Sequence, residues 1–412
     1  MLIWLLADPD SSKHLAFREM LEEFCAHFPE ARAEFAVKTR RSLWESVFSH
    51  LRDSKRNPLA DVIEIPHNWT ALFAKLGLLY DFSRISDDFN PLACPGFVAR
   101  EYASGEGGSV FSAPWWMEGP ALFYDQRAVK AWGGPPADKN LSWEEFVSAL
   151  EKLSSGKGFR GRGRSGGRAS IAASRSSGSY PLCFSSPAGS IGLDNVLPRV
   201  WSRGGGLFSQ DLNRASFNKD ETMSGVRDML GLAVNGYARL FSPSRFEGAG
   251  CLDEHSAFIF SPRDLCSGKD AKGGTLEMLP FPGCGQLFPV NISSLAIFSG
   301  TSSLRQGVSL LKWLLKPERS VSLSAAFSVF PCNKTAFEER LEGSRQEALY
   351  RRIFAGADLK PNVTVYPTAE ILFERILWNM SLAIARGDYS VEGLTREMII
   401  AQGEADYLLS LY

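Results

Sequence analysis

The stretch Val110–Asp125 reads VFSAPWWMEGPALFYD. Its first part, with Ser109 before it, has strand character over 109–114 and stops at proline. Gly119–Asp125 begins a second strand that leads into a short helix before the Gly133-Gly134 pair. Between them stand Trp115 and Trp116, with Glu118 two residues on. Adjacent aromatics are awkward for a simple core. On a strand they point to opposite faces, and on a helix about 100° apart. At least one of the two tryptophans is therefore expected to face something other than the main core.

Upstream of this stretch, strand and helix patterns alternate. The apolar run Leu2–Ala7 reads as a buried first strand. It is too short for the apolar segment of a secretory leader and has no basic residues before it. Met1 is read either as the initiator or as a start that replaces a removed leader. Ser11–Phe28 places Leu15, Phe17, Met20, Leu21, Phe24, Cys25 and Phe28 at helical spacing, with Ser11 or Ser12 as cap. Residues 33–39 alternate like a strand, and Leu43, Val47, Phe48 and Leu51 mark a second helix. DVIEI (61–65) is another buried strand, followed by PHNW and a helix from Thr70 to Leu76 that Gly77 closes. A β-α-β-α-β series predicts a parallel sheet covered by helices, with ligand-binding loops at the carboxyl ends of the strands. Those loops are ADPDSS (7–12) and PHNW (66–69).

Downstream, LSWEEFVSALEKL (141–153) predicts a helix, with Ser142 and Glu145 spaced as a capping box. Residues 154–178 then change character: Gly, Ser and Arg dominate and no acid occurs. GKGFRG within that tract matches a dinucleotide fingerprint in letters only, because it lacks the preceding strand and following helix. A solvated connection is the expected state. Val196–Leu240 gives helix, Gly-rich turn, polar hairpin and helix. Residues 255–265 read as a strand running into a helix start, 274–283 as an extended connector, and NISSLAIF (291–298) as a strand. A helix follows that Pro317 stops, then a second extended connector, SVFPCNKTAF (328–337). Helices are expected over Thr368–Arg386 and Val391–Leu411. Trp4, Trp44, Trp132, Trp143, Trp313 and Trp378 fall on periodic apolar faces and are expected in cores.

A chain of 412 residues exceeds one ordinary core and implies two or three domains. The net charge of −1 excludes a global field that would draw it to nucleic acid or an acidic membrane surface. No segment approaches the about 18–20 apolar residues of a membrane span. Seven scattered cysteines, without CxxC or histidine at zinc spacing, argue against a zinc site and against a disulfide framework. A single bridge such as Cys251–Cys266 is left open. The five histidines show no metal-ligand pairing, no phosphate-binding loop or G-x-S-x-G occurs, and no cofactor is implied.

With this element order in place, the chain resembles the bacterial extracellular solute-binding proteins of ABC importers, of the sugar-binding, maltose-binding-protein-like kind. The resemblance covers nearly the whole chain. It is carried by ADVIEIPHNWTALFAKLGLLYDFS (60–83), by residues 110–153 around the tryptophan pair, and by VWSRGGGLFSQDLNRASFN (200–218). GCLDEHSAFIFSPRDL (250–265), VFPCNKTAF (329–337) and ARGDYSVEGLTREMIIAQ (385–402) add to it. The resemblance implies an α/β, type II periplasmic-binding-protein fold, with two lobes, a ligand cleft and several crossovers. The implied lobes are residues 1–112 plus 280–316, and 113–279 plus 317–412. It also implies a monomer that binds a sugar or oligosaccharide and delivers it to the membrane subunits of an ABC permease. The location is periplasmic or extracellular, with or without a lipid anchor. The chain departs from the family where Ser261-Pro262-Arg263 stands in place of a Gly-Pro-Trp, so an aromatic platform is missing there.

Sugars are held by flat aromatic faces and by carboxylates, amides and guanidinium groups that bond hydroxyls. Candidate ligand contacts are therefore Asp8 and Asp10 after the first strand, and Asn68 and Trp69 after the third. One of Trp115 and Trp116, together with Glu118, is placed at the first crossover. Trp201, Arg203 and Arg263 are candidates from the second lobe, and Asn291 and Ser293 from the strand after the second crossover. The ordinary alternatives are helix capping for the aspartates, a helix cap and staple for Asn68 and Trp69, a solvated or capping role for Glu118, core packing for Trp201, and hinge packing for the tryptophan pair. Two further readings stay open. One is a binder or sensor of a non-sugar solute on the same fold. The other is a glycoside-processing enzyme using Glu118 with Asp8, Asp10 or Glu64.

Overall fold

The computed structural model describes residues 1–6, 13–85, 90–102, 109–126, 129, 132–135, 140–155, 180–185, 190–238, 240, 256–261, 264–265, 276–284, 288–342, 344 and 346–410. These form two compact units. The first comprises Met1–Glu118, Val290–Glu347 and Leu359–Pro367. The second comprises Gly119–Pro289, Ala348–Asp358 and Thr368–Tyr412.

The first unit is built on β1 (Leu2–Leu6), β2 (Glu34–Lys38), β3 (Val62–Pro66), β4 (Ala113–Glu118), β9 (Phe288–Ile297) and β10 (Phe330–Pro331), in the order β10-β4-β9-β3-β1-β2. β1 pairs in parallel with β2 and β3, whereas β9 runs antiparallel to both β3 and β4. β1, β3 and β4 therefore point the same way, and their carboxyl ends share one edge of the sheet. Side chains alternate between two cores. Ile3, Leu5, Val62, Ala113, Leu295 and Ile297 join α1 (Lys13–His27), α8 (Leu304–Leu314) and α9 (Pro317–Phe327) on one face. Trp4, Ile63, Ile65 and Ala296 join α2 (Arg40–Arg52) and α3 (Thr70–Lys75) on the other. Thr39 caps α2 in a reciprocal box with Ser42.

The second unit carries a four-stranded sheet of β6 (Leu182–Phe184), β7 (Phe258–Ser261), β5 (Ala121–Asp125) and β8 (Leu276–Pro280), in that order. Its core is a phenylalanine cluster. Phe260 stacks on Phe281 (4.6 Å, 15°), and Phe146 of α5 (Trp143–Ser155) meets Phe258 edge-on (5.5 Å, 78°). The Ser142–Glu145 capping box is formed: the Ser142 N–H donates to Glu145 Oε2 (2.9 Å) and the Glu145 N–H to Ser142 Oγ (3.1 Å).

Several elements differ from the sequence expectation. Pro114 lies inside β4 rather than ending a strand, because the ladder to β9 shifts register between Pro114 and Trp116. Residues 276–280 are not a connector; they pair along the whole of β5 as β8. Pro317 opens α9 at its first turn, where a missing N–H costs nothing. Of the second expected connector, Phe330–Pro331 forms β10 and Lys334–Glu342 forms α10. As a result β4, α9, β10 and α10 fall in the first unit, and the units exchange chain at 118/119, 289/290, 347/348, 358/359 and 367/368. The expected exchanges lay at 112/113, 279/280 and 316/317. Trp378, expected in a core, is 43% exposed on α12 (Tyr366–Arg386). The Gly/Arg/Ser tract beyond residue 155 and the Cys251–Cys266 pair lie outside the described residues.

A close helix contact in the second unit sets a test. A Cβ on Gly225 of α7 (Asp220–Val234) would stand 2.6 Å from Val200 Cα of α6 (Leu193–Ser202), against backbone that cannot swing aside. Gly231 of the same helix has nothing within 4 Å of such a Cβ. In urea denaturation, Gly225→Ala should destabilise by about 1–3 kcal/mol through overpacking. Gly231→Ala should stabilise by about 0.5–1 kcal/mol through helix propensity. Equal effects of the two substitutions would contradict the packing described.

Candidate functional site

The shared carboxyl edge of β1, β3 and β4 gathers the polar residues of the first unit. Glu64 is the one charged residue in the fully buried strand β3, and it is 1% exposed. A carboxylate in such a place must be paired. Its Oε2 accepts the Leu6 N–H at the end of β1 (2.7 Å). The Lys13 ammonium lies 3.2 Å from both carboxylate oxygens, and the Ser293 hydroxyl donates to Oε1. Lys13, itself buried, also donates to the Leu6 carbonyl (2.6 Å). Burial pushes the Glu64 carboxyl above the usual carboxylate range, and Lys13, Ser293 and Leu6 oppose that rise.

The same lysine decides the role of the tryptophan pair. The bulge after Pro114 turns Trp115 and Trp116 to one face of the sheet. Their rings stack at 4.0 Å and 28°, and both belong to the core beside α1 and α9. The Lys13 ammonium stands 3.5 Å from the centroid of Trp116. Two groups this close cannot share one ring face, so Trp116 is sandwiched between Trp115 and Lys13. Phe327 closes its edge at 5.0 Å and 84°. Trp115 meets Phe17 and Phe327 edge-on. The expectation that one of the two faces away from the core is therefore corrected: the bulge buries both, at 2% and 5% exposure.

The other candidates separate by place. Glu118 and Asn291 are register partners at the end of β4 and the start of the β9 ladder, on the same face as Ser293, and both are half-buried. Ser293, also half-buried, is engaged by Glu64. Asn68 is buried in the 3-10 turn His67–Trp69 that follows β3. That turn is fastened from behind: His67 Nε2 is 2.8 Å from the Lys360 carbonyl, and the Ala71 N–H donates to Asn362 Oδ1 (2.9 Å). Trp69 faces the opposite core, edge-on to Trp44 (5.3 Å) and Phe73 (5.8 Å). In the second unit, Trp201 is half-buried near the end of α6. Arg203 caps that helix and, with Arg199, grips Asp228 of α7 (2.8 and 2.7 Å). Arg199 also lies over the Trp143 ring at 4.4 Å. Asp8, Asp10 and Arg263 lie outside the described residues.

The edge thus holds half-buried Glu118 and Asn291, with Ser293 beside them on the same face and Asn68 buried in the turn that follows β3. These are acceptors and donors suited to hydroxyl groups. Glu64 has both oxygens engaged, so it is not a free second carboxylate for Glu118. Among the described residues no cluster of His, Cys, Asp or Glu could hold a metal ion, and no helix is long and apolar enough to cross a membrane.

Two α/β units, each with its own sheet, and ligand-competent groups at the shared carboxyl edge of β1, β3 and β4 in a mixed sheet define a chain organised as a solute-binding protein. The profile of the family described as bacterial extracellular solute-binding protein matches residues 23–344, and the chain belongs to that family. It works in the periplasm or outside the cell. No curated protein sequence matches it. Among solved structures, the maltose-bound MalE3 of T. maritima is similar at 16% identity and a TM-score of 0.77, over 99% of each chain. The Thermus thermophilus maltotriose binding protein, solved with maltotriose, is similar at 17% and 0.74, over 98% of this chain and 99% of that one. The GacH receptor of Streptomyces glaucescens, solved unliganded and with acarbose, is similar at 14% and 0.74, over 98% and 97%. At these identities the structures show the shared type II binding-protein fold.

The buried pair yields a test with a sign. Glu64 has a raised folded pKa, so its contribution to stability is full below its ordinary value of 4.5 and is lost as pH rises through the folded value. Lys13 limits that loss. Lys13→Met should destabilise by about 3–5 kcal/mol at pH 7, because an uncompensated buried carboxylate remains. The deficit should shrink as pH falls towards 4 and Glu64 takes up its proton. Lys13→Met with Glu64→Leu should recover most of the loss. A deficit independent of pH in urea denaturation would contradict the pairing.

Proposed function

We propose that this chain captures a sugar or oligosaccharide and delivers it to the membrane subunits of an ABC permease. The observation that carries the reading is whole-chain likeness. Membership of the solute-binding family coincides with neighbours that hold maltose, maltotriose and acarbose and match over nearly their full length. The first unit is consistent with it. Glu118 and Asn291 sit side by side at the strand edge, half-buried, and offer a carboxylate and an amide to hydroxyls.

In this reading Glu118, Asn291 and Asn68 bind hydroxyl groups, and the Lys13–Glu64–Ser293 network holds the edge rigid beneath them. Trp116 is a packing residue. Any aromatic platform for the sugar comes from elsewhere in the chain. The family and its neighbours are binding proteins, and the protein acts by capture and release rather than by turnover.

A carbohydrate screen read by thermal shift tests the proposal. A specific sugar at 100 times its Kd should raise the unfolding free energy by about 2.7 kcal/mol. Glu118→Gln and Asn291→Ala should each weaken binding about tenfold, equivalent to about 1.4 kcal/mol. A response confined to peptides, polyamines or inorganic anions would overturn the sugar assignment.

A further inference from the structure

The last two helices, α12 and α13 (Val391–Leu409), carry an exposed apolar face in the second unit. The Arg375 guanidinium donates to Glu404 Oε2 (2.8 Å), and the Asn379 amide donates to Glu397 Oε2 (3.2 Å). Residue numbers rise along one helix as they fall along the other, so the pair is antiparallel. Trp378 then lies level with Ile400, and Ile371 with Tyr407. More than half of the large apolar side chains exposed among the described residues stand here: Ile371, Trp378, Val391, Ile399, Ile400 and Tyr407. Ile399 and Ile400 are each 52% exposed, and Tyr407 is 66% exposed. A contiguous apolar face of this kind marks a contact surface.

Two parts of this face match each other. Val391, Glu392, Thr395, Arg396, Ile399 and Ile400 line a shallow hollow in the first half of α13. Tyr407 projects from the second half. The tyrosine and the middle of the hollow lie about 17 Å apart along one helix, so they cannot meet within one copy. Two copies of α13 laid antiparallel, about a two-fold axis between Ile399 and Ile400, bring each to the other. In that register Ile399 faces the second copy's Ile400, and Arg396 faces the second copy's Gly403. A helical side chain leans over the turn before its own Cα, so Tyr407 leans into the second copy's hollow rather than past its end. Gly403 is exposed, with open space where a Cβ would stand, and leaves room for the Arg396 stem. The Arg396 guanidinium then reaches the second copy's Glu404, a partly exposed carboxylate of opposite charge. Every contact occurs twice, as a self-complementary two-fold interface requires.

We propose that the protein self-associates into a two-fold dimer through α13, with Tyr407 of each copy seated in the hollow of the other. This stands in place of the monomer that the family resemblance implies. Trp378 and Ile371 flank the helix pair and extend the contact onto α12. An interface built on one helix pair belongs to the small, weak class, so the dimer forms at micromolar concentration and dissociates on dilution.

Sedimentation velocity on the full chain tests this. Between about 1 and about 100 μM the wild type should pass from one chain to two. Ile400→Lys sets like charges against each other across the axis and should stay a single chain throughout. Tyr407→Ala should weaken association about tenfold or more. Leu51→Lys, at a comparably exposed apolar site in the first unit, should associate as the wild type does. The register has its own test. Positions 396 and 403 stand about two turns apart on one helix, too far for a disulfide within a copy. Arg396→Cys/Gly403→Cys should form a covalent dimer under mild oxidation that reductant reverses, and neither single variant should. A wild type that stays a single chain at the highest concentration, whatever else the face then binds, would overturn the assignment. So would Ile400→Lys or Tyr407→Ala associating as the wild type does, or a single-cysteine variant cross-linking as well as the double.

Discussion

The carboxylate of Glu64 lies inside an otherwise apolar strand and has to be neutralised there. Three partners from three parts of the chain do so: the Leu6 N–H, the Lys13 ammonium and the Ser293 hydroxyl. Their convergence joins β1, α1, β3 and β9 at one sheet edge. A hydrophobic contact could slide at that edge, whereas a buried ion pair tolerates little displacement before its desolvation cost is uncovered. The stack of Trp115 and Trp116 depends on the same point, since the free face of Trp116 is covered by the lysine that Glu64 holds.

This arrangement changes how the edge works as a binding surface. A tryptophan pair after a proline suggests a platform for sugar rings, but here its faces are occupied and its role is to anchor β4. What remains partly accessible is polar and sits two residues further along the ladder, at Glu118 and Asn291. In the function we propose, recognition by the first unit rests on hydrogen bonds to hydroxyls, which are directional and which reject ligands that leave a partner unpaired. The rigidity of the network matters for this, because such bonds are lost when the supporting atoms move by fractions of an ångström.

Most of the first unit was legible from periodicity. The strands at Leu2, Glu34 and Val62 and their intervening helices form where alternation and helical spacing place them. The capping box at Ser142 likewise needed only local chemistry. Misreadings came where one residue has two meanings. Pro317 has the look of a helix stop and is the first residue of α9, since proline is excluded from helix interiors but welcome at their start. Leu276–Pro280, rich in proline nearby, reads as a connector and is an edge strand, the place in a sheet that tolerates proline. The tryptophan pair could not be oriented because a bulge shifts parity and has no signature in VFSAPWWME. Glu64 did signal itself as a charge in an apolar strand. Its partner, 51 residues away at Lys13, was not specified by any local pattern.

The central claim, that the carboxyl edge of the first unit binds a sugar through Glu118 and Asn291 while the tryptophans stay packed, is tested most directly by a crystal structure with a sugar bound. The account predicts ligand hydroxyls within hydrogen-bonding distance of Glu118 and Asn291, with Trp116 still held between Trp115 and Lys13. A sugar ring stacked on Trp116 with Lys13 displaced, or a sugar bound away from this edge, would contradict it.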